Sequence, residues 1–396
     1  MRKPAGDFRF DRHELAGGLG DAGLFIPIAV GLITLNGLSA TAVFAVAGLA
    51  YIGTALFFRV PIPVQPLKAF AAAAIALKLQ APVIAAGGLL MAAAMAILAA
   101  GGLADVLARR FPVVLVRGIQ ASVALLLVKA AVKLADKGNW PGLPHVGSDV
   151  GIAMAAGACL LLFLTARTNF PGTLVVLAAA VAAGVAIGGT PHIGLGPEAP
   201  GISLPTGHDF VKALTTLVLA QLPLTFGNAV VATADAERAY FGDRARRVRP
   251  SRLAASIGIA NLASGLLHGL PLCHGAGGVT AHRRLGARTA GATIMAGSIY
   301  LAAALVFGAS IPSVAHLLLP GALAGMLLFV AIQHALLAAD LDELADRVIA
   351  AAVGLVTLWS GNLGIGFAAG VAMLLVRRAI DALSGLASEP VRDLER

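Results

Sequence analysis

The side chains that could do chemistry in this sequence are few, and they gather at two interruptions of apolar spans. One is Pro61-Ile-Pro-Val-Gln-Pro-Leu-Lys68 and the other is Pro271-Leu-Cys-His-Gly-Ala-Gly-Gly278. Proline removes a backbone donor and clashes with a continuing helix, so the first stretch breaks its span in the middle; the glycine run does the same in the second. Non-helical backbone at membrane depth is tolerated only where protein or a water-filled cavity satisfies its N–H and C=O groups. A helix that resumes after such a break presents unpaired N–H groups and about half a positive charge at its first turn. Two such starts facing one cavity make an anion site.

Each residue near the breaks has a chemical reading and a plainer one. Pro66 suits a first helical turn, where no N–H is needed, and Gly275, Ala276, Gly277 and Gly278 let a ligand approach the backbone closely. Lys68 brings a cation to a place where one is costly and usually functional, or it snorkels or pairs with a carboxylate such as Asp21. Gln65 donates to an oxyanion or caps the half-helix. Asp21, about two turns into the first span, is a candidate proton carrier or a structural partner of Lys68 or Arg117. His274 donates to substrate, titrates near neutral pH, or caps the second half-helix. Asn228, with Gln221 and Thr225 near Pro223, is a neutral ligand contact or a helix–helix hydrogen bond. Arg117 and Gln120 line a path by which anions reach the site, or Arg117 sits at headgroup level. The remaining histidines fall in loops or at span ends and receive no role.

The elements that must hold these residues follow from composition. Of 396 residues, 58% are hydrophobic and 12% charged, against about 25% charged in ordinary globular chains. Apolar stretches of roughly 20 residues, enough to cross the hydrocarbon, recur from about Leu15 to Val376. The fold class is therefore an all-α polytopic membrane protein. With 47 glycines and few aromatic residues, helix contacts must come from small side chains. Two cysteines, Cys159 and Cys273, support neither a disulfide framework nor a metal site, and no cofactor motif is present. The N-terminus is too polar for a cleavable signal.

The net charge of +9 is topological and does not point to nucleic acid. With Arg2, Lys3, Arg9 and Arg12 in the cytoplasm, Arg59, Arg109, Arg110, Arg167, the 238–252 loop, Arg283, Arg284, Arg288, Arg347, Arg377 and Arg378 fall on the same side. The outer side receives little beyond Lys78, Lys133, Lys137 and Lys212. Anionic lipid headgroups are the natural partners of this excess. The acidic run from Asp340 to Asp346 reads as a solvated loop.

The spacing predicts about fourteen segments, starting near 13, 38, 66, 82, 112, 149, 171, 209, 250, 275, 288, 312, 345 and 362. Residues 189–208, with four prolines and five glycines, divide a first block (13–188) from a second (209–380), and 381–396 form a short cytoplasmic tail. An odd number of spans per block inverts the second relative to the first, giving a 7+7 inverted repeat. Segments 3 and 10 are then half-helices of roughly 12–18 Å, starting near the midplane.

At these residues the sequence resembles the molybdate transporter family, a branch of the sulfate permease (SulP) superfamily. The motifs are Gly20-Asp-Ala-Gly-Leu-Phe-Ile-Pro27, the 61–68 break, Val116-Arg-Gly-Ile-Gln120, and the 271–278 break followed by Arg284-Leu-Gly-Ala-Arg-Thr289. The resemblance implies the fold shared by sulfate and nucleobase permeases, in which segments 1–4 and 8–11 form a substrate-carrying core and segments 5–7 and 12–14 a gate. It also implies that the C-terminal regulatory domain of larger sulfate permeases is absent. The expected activity is secondary active transport of a tetrahedral oxyanion, with molybdate first and sulfate or tungstate as rivals, and with protons as a candidate coupling ion. An uncoupled anion channel and a nucleobase permease are the alternatives; the acidic residues that nucleobase permeases carry on segments 8 and 10 are missing here at mid-membrane. No enzyme signature appears. The expected location is the inner membrane with both termini cytoplasmic, and a homodimer is an open arrangement.

Overall fold

The computed structural model describes residues 8–107, 112–136, 146–165, 172–191, 193–199, 204–337 and 341–383. Arg2, Lys3, Arg109, Arg110, Lys137, Arg167, Asp340, parts of the 189–208 divider and the tail beyond 383 lie outside the described residues.

Helix α1 (Arg12–Gly18) starts at Asp11, whose carboxylate accepts from the N–H groups of His13 and Glu14 at 2.9 and 3.1 Å. A tight turn through Leu19–Asp21 leads to α2 (Ala22–Asn36), and the segment bends by 47° there. The first block continues with α3 (Ala40–Phe58), β1 (Gln65–Pro66), α4 (Lys68–Ala76), α5 (Ala81–Ala99), α6 (Leu103–Leu107), α7 (Val113–Ala135), α8 (Ser148–Thr165) and α9 (Gly172–Gly188). After the divider, Thr206 and Asp209 close a reciprocal cap at the start of α10 (Gly207–Ala213). Wider π-type turns over Leu214–Val218 and Thr225–Ala232 join α10 to α11 (Leu219–Leu224) and α12 (Thr233–Phe241) in one long run. The rest is α13 (Pro250–Leu267), β2 (Leu272–Cys273), α14 (Ala276–Leu285), α15 (Gly291–Phe307), α16 (Ile311–His316), α17 (Pro320–Leu337), α18 (Leu344–Ser360) and α19 (Leu363–Leu383).

Among the described residues, five helices are long and apolar enough to cross a membrane, or six when the bent first segment counts as one span. This is fewer than the fourteen segments expected, because several others are short. The half-helices α4 and α14 have 9 and 10 residues, and α15 and α18 have 17 each.

The helices sort into two packed groups. In one, α3 runs along α15 and α5 along α13; in the other, α7 packs on α17 and α18, and α8 on α17. Exchanging the two blocks maps the α3–α15 contact onto α13–α5, and α7–α18 onto α17–α8. Small residues make the crossings close, as the composition requires. A Cβ on Gly48 would lie 2.7 Å from the carbonyl oxygen of Gly297, and one on Gly297 would lie 2.7 Å from that of Gly48. Gly88 on α5 meets Gly265 on α13 in the same manner, with a Cβ 3.3 Å from its Cα. Large apolar side chains such as Leu49, Ile259, Leu355 and Trp359 point outward, as helices in lipid require.

Candidate anion site at the two breaks

Both breaks begin alike. Arg59 ends α3 and His268 ends α13 in the left-handed conformation, with φ of 63° and 55°, which turns the chain back into the protein. The stretches that follow then pair with each other. Gln65 stands opposite Cys273 and Pro66 opposite Leu272 in an antiparallel two-stranded ladder, and Leu67 N–H donates to the Pro271 carbonyl at 2.9 Å.

Side chains of α13 satisfy what the ladder leaves over. Asn261 donates to the Leu272 carbonyl at 2.6 Å and accepts from Leu272 N–H at 3.2 Å, while Ser264 donates to the Leu270 carbonyl at 2.7 Å. This is how irregular backbone survives at membrane depth. Pro66 is a correction to the sequence reading: it lies in β1 rather than in the first turn of α4, which starts at Lys68 after Leu67. Pairing with β2 keeps the chain extended for two residues more than the proline alone suggests.

The start of α4 is partly capped. Gln221 Oε1 accepts from Phe70 N–H at 2.9 Å, and Gln221 Nε2 donates to Thr225 at 2.8 Å. Lys68 and Ala69 N–H have no acceptor among the described residues. Lys68 is 8% exposed and makes no hydrogen bond or ion pair among the described residues. Asp21, Cys273 and His334 are close enough to interact with its charge.

The start of α14 is more open. Gly275 precedes it, and Gly278 and Val279 N–H both return to the Gly275 carbonyl, which leaves Ala276 and Gly277 N–H without acceptors among the described residues. A Cβ on Gly277 would meet nothing within 4 Å, whereas one on Gly278 would lie 2.4 Å from Gln65 Nε2 and 2.7 Å from Asp21 Oδ2. One on Gly275 would lie 2.5 Å from Gln65 Oε1 and 3.5 Å from Asn228 Nδ2. The Gln65 side chain thus crosses the first turn of α14, and Asn228 reaches it from the wide turn of the long run.

Asp21 pairs with neither Lys68 nor Arg117 in an ion pair. Its Oδ1 accepts from Gln65 Nε2 at 2.7 Å, and its Oδ2 lies 3.1 Å from His282 Nε2. His274 is a brace: its ring nitrogens contact the Pro63 carbonyl at 2.8 Å and Ser256 Oγ at 3.1 Å, so neither is free for substrate while these contacts hold. Arg117 and Gln120 are elsewhere, on α7, joined to each other at 3.1 Å.

Sequence reasoning passed over Asn261, His282 and His334. The sequence puts the two histidines at span ends, and both do lie in the last turns of α14 and α17, but His282 is 0% and His334 3% exposed, so these ends are inside the protein. The signal for His282 was its position six residues into the half-helix after Ala276, on a segment too short to carry it out of the protein.

A family described as "Molybdate transporter of MFS superfamily" matches residues 13–127 and 213–333, and this chain belongs to that family. Its members are transporters, not enzymes. "Molybdate transporter 2" of Arabidopsis thaliana is 27% identical over 94% of this chain and 89% of its own length. "Molybdate transporter 1" of Chlamydomonas reinhardtii is 28% identical over 75% of this chain and 78% of its own. Among solved structures, the transmembrane domain of the cyanobacterial bicarbonate transporter BicA superposes with a TM-score of 0.61 at 16% identity, covering 91% of this chain and 97% of that one. SLC26A9 gives 0.65 at 14% identity, covering 93% and 65%. The fold is therefore that of the sulfate permease and SLC26 transporters, and the chain is an integral membrane protein.

Proposed function

We propose that the protein is a secondary active transporter of a tetrahedral oxyanion, with molybdate as the substrate, bound between the starts of α4 and α14. The observation that carries this reading is the junction of two half-helix N-termini through β1 and β2, with a buried Lys68 beside it that forms no ion pair among the described residues. Backbone N–H groups and Lys68 supply positive potential to a dianion. Gln65 and Asn228 are the side-chain donors at the α14 start, and Gly277 keeps the approach open. The molybdate transporters among the relatives support this substrate over sulfate and tungstate.

The matched helix contacts support a 7+7 inverted repeat, 13–188 and 209–380. The two packed groups act as core and gate, and transport is movement of one against the other. Import of a dianion works against the membrane potential by about 2.3 kcal/mol per charge per 100 mV, and a proton is proposed as the coupling ion that offsets this. The basic side faces the cytoplasm of an inner membrane, with both termini there and anionic lipids against the arginines.

The test is radiolabelled molybdate uptake by purified protein in liposomes. Saturable flux with counterflow, competed by tungstate and not by uracil, is expected. Flux that neither saturates nor shows counterflow would make the protein a channel, and competition by uracil or xanthine would make it a nucleobase permease.

A further inference from the structure

Asp21 and His282 lie directly behind the start of α14, and neither bonds the backbone of the ladder. Asp21 Oδ2 and His282 Nε2 approach to 3.1 Å with the side chains 4% and 0% exposed, yet without the alignment of a formed hydrogen bond. His282 Nδ1 is also buried with no hydrogen-bond partner among the described residues. Asp21 Oδ1 holds one end of the Gln65 amide, while Gln65 Oε1 has no hydrogen-bond partner. A carboxylate, an imidazole with an open nitrogen and an amide lying across α14 therefore form one connected chain.

We propose that Asp21 and His282 together hold the proton that accompanies the anion, and that Gln65 transmits the protonation state of the pair to the anion site; this rests on the anion-transport reading above. A carboxylate and a neutral imidazole carry one negative charge, which repels a dianion bound at Ala276 and Gly277 N–H. A proton added to the open imidazole nitrogen makes an imidazolium and brings the pair to zero net charge. The carboxylate then draws toward the imidazolium, its hold on Gln65 weakens, and the amide is free to turn its N–H toward the anion.

The other groups facing the pair do not substitute for it. Tyr51 from α3 stacks on His282 with centroids 6.3 Å apart, and Tyr300 from α15, Cys273 from β2 and Lys68 from α4 face Asp21. Glu14 from α1 accepts through Oε2 from Arg288 and Thr289 N–H at 3.0 and 3.1 Å, which ties it to the turn after α14. Arg283 and Arg284 follow His282 on α14 as permanent cations. Histidine is the side chain whose ordinary charge change falls between about pH 5 and 8, and the other histidine near the ladder, His274, contacts Pro63 and Ser256 rather than Asp21 or Gln65.

By linkage, an anion that binds with a proton must bind more tightly as pH falls, by up to about tenfold per pH unit for one proton. The experiment is calorimetric titration of the full-length protein with molybdate at about pH 8, 7 and 6, each in two buffers of different ionisation enthalpy, which reads proton uptake directly. The wild type is expected to bind more tightly at lower pH and to take up close to one proton. Asp21→Asn, which removes the negative charge, is expected to bind with affinity independent of pH and in liposomes to keep molybdate counterflow while losing accumulation driven by a pH gradient; His282→Gln, which leaves the carboxylate charged and Gln65 held on it, is expected to bind weakly at every pH. Molybdate binding with no proton uptake in the wild type, or the wild-type pH slope in either variant, would overturn the assignment while leaving the transport reading intact. Absence of molybdate binding at every pH would overturn the transport reading itself. A wild type that takes up no proton overturns the assignment even if the variants do not fold.

Discussion

Gln65 and Cys273 stand opposite each other in the two-stranded ladder, so the two blocks of the chain meet backbone to backbone where their broken spans start again. The ladder fixes where α4 and α14 begin relative to each other, and the site inherits that geometry. Asn261 is its principal brace from outside, serving both the N–H and the C=O of Leu272. Asn261→Ala leaves two buried backbone groups without partners, at about 1–3 kcal/mol each. A lowered thermal midpoint with molybdate affinity reduced in step is expected; an unchanged midpoint would show that the ladder does not depend on this brace.

Gly277 and Gly278 are adjacent and should respond oppositely to added bulk. Gly277→Val fills the open space in front of the α14 N–H groups, so it should remain folded and lose molybdate binding. Gly278→Ala drives a methyl into Gln65, Asp21 and Pro63 and should cost about 1–3 kcal/mol of stability through overpacking. Thermal stability measured beside affinity separates the two effects, and a stable Gly277→Val protein with normal affinity would remove the anion from the α14 start.

Lys68→Ala removes a buried cation next to the site, whereas Lys78→Ala removes an exposed one at the far end of the same half-helix. A charge-assisted hydrogen bond is worth about 1.5–3 kcal/mol, so the first variant should weaken molybdate binding roughly tenfold to a hundredfold and the second hardly at all. Equal affinities in a binding titration would return Lys68 to a structural role.

The crossing of α3 and α15 predicts a purely structural defect. Gly48→Leu places a side chain where the Gly297 carbonyl already sits at 2.7 Å from a Cβ, so the helices must separate. Loss of expression or a lowered thermal midpoint is expected, and a Gly48→Leu protein as stable as wild type would mean the crossing is looser than it looks.

How much of this was legible in the sequence depends on how local each signal is. The breaks at 61–68 and 271–278 could be read because proline and clustered glycine act on their own backbone. The start of α14 at Ala276 followed from the glycine run, but the start of α4 did not follow from Pro66, because strand pairing with residues some two hundred positions away decides it. Gln221 reads as a polar contact between helices and is one, to Phe70 N–H, whereas Thr225 bonds Gln221 within its own run. Asp21 reads from the sequence as a proton carrier or a structural partner of Lys68 or Arg117, whereas the contacts it makes are with Gln65 and His282. His282 lies on the other block of the chain, and only the fold brings the two together. Asn261 was invisible for a similar reason: an asparagine in a span gives no sign of which backbone it will serve.

The central claim is that one oxyanion binds between the starts of α4 and α14. It is tested most directly by a structure of the protein with molybdate, or with tungstate as the heavier analogue, in which the metal is located by its anomalous scattering. The account predicts a single strong peak within hydrogen-bonding reach of Ala276 or Gly277 N–H, on the side of Gln65 and Asn228, with Lys68 beside it. A peak confined to the arginines of the cytoplasmic face, with none at the two breaks, would contradict it.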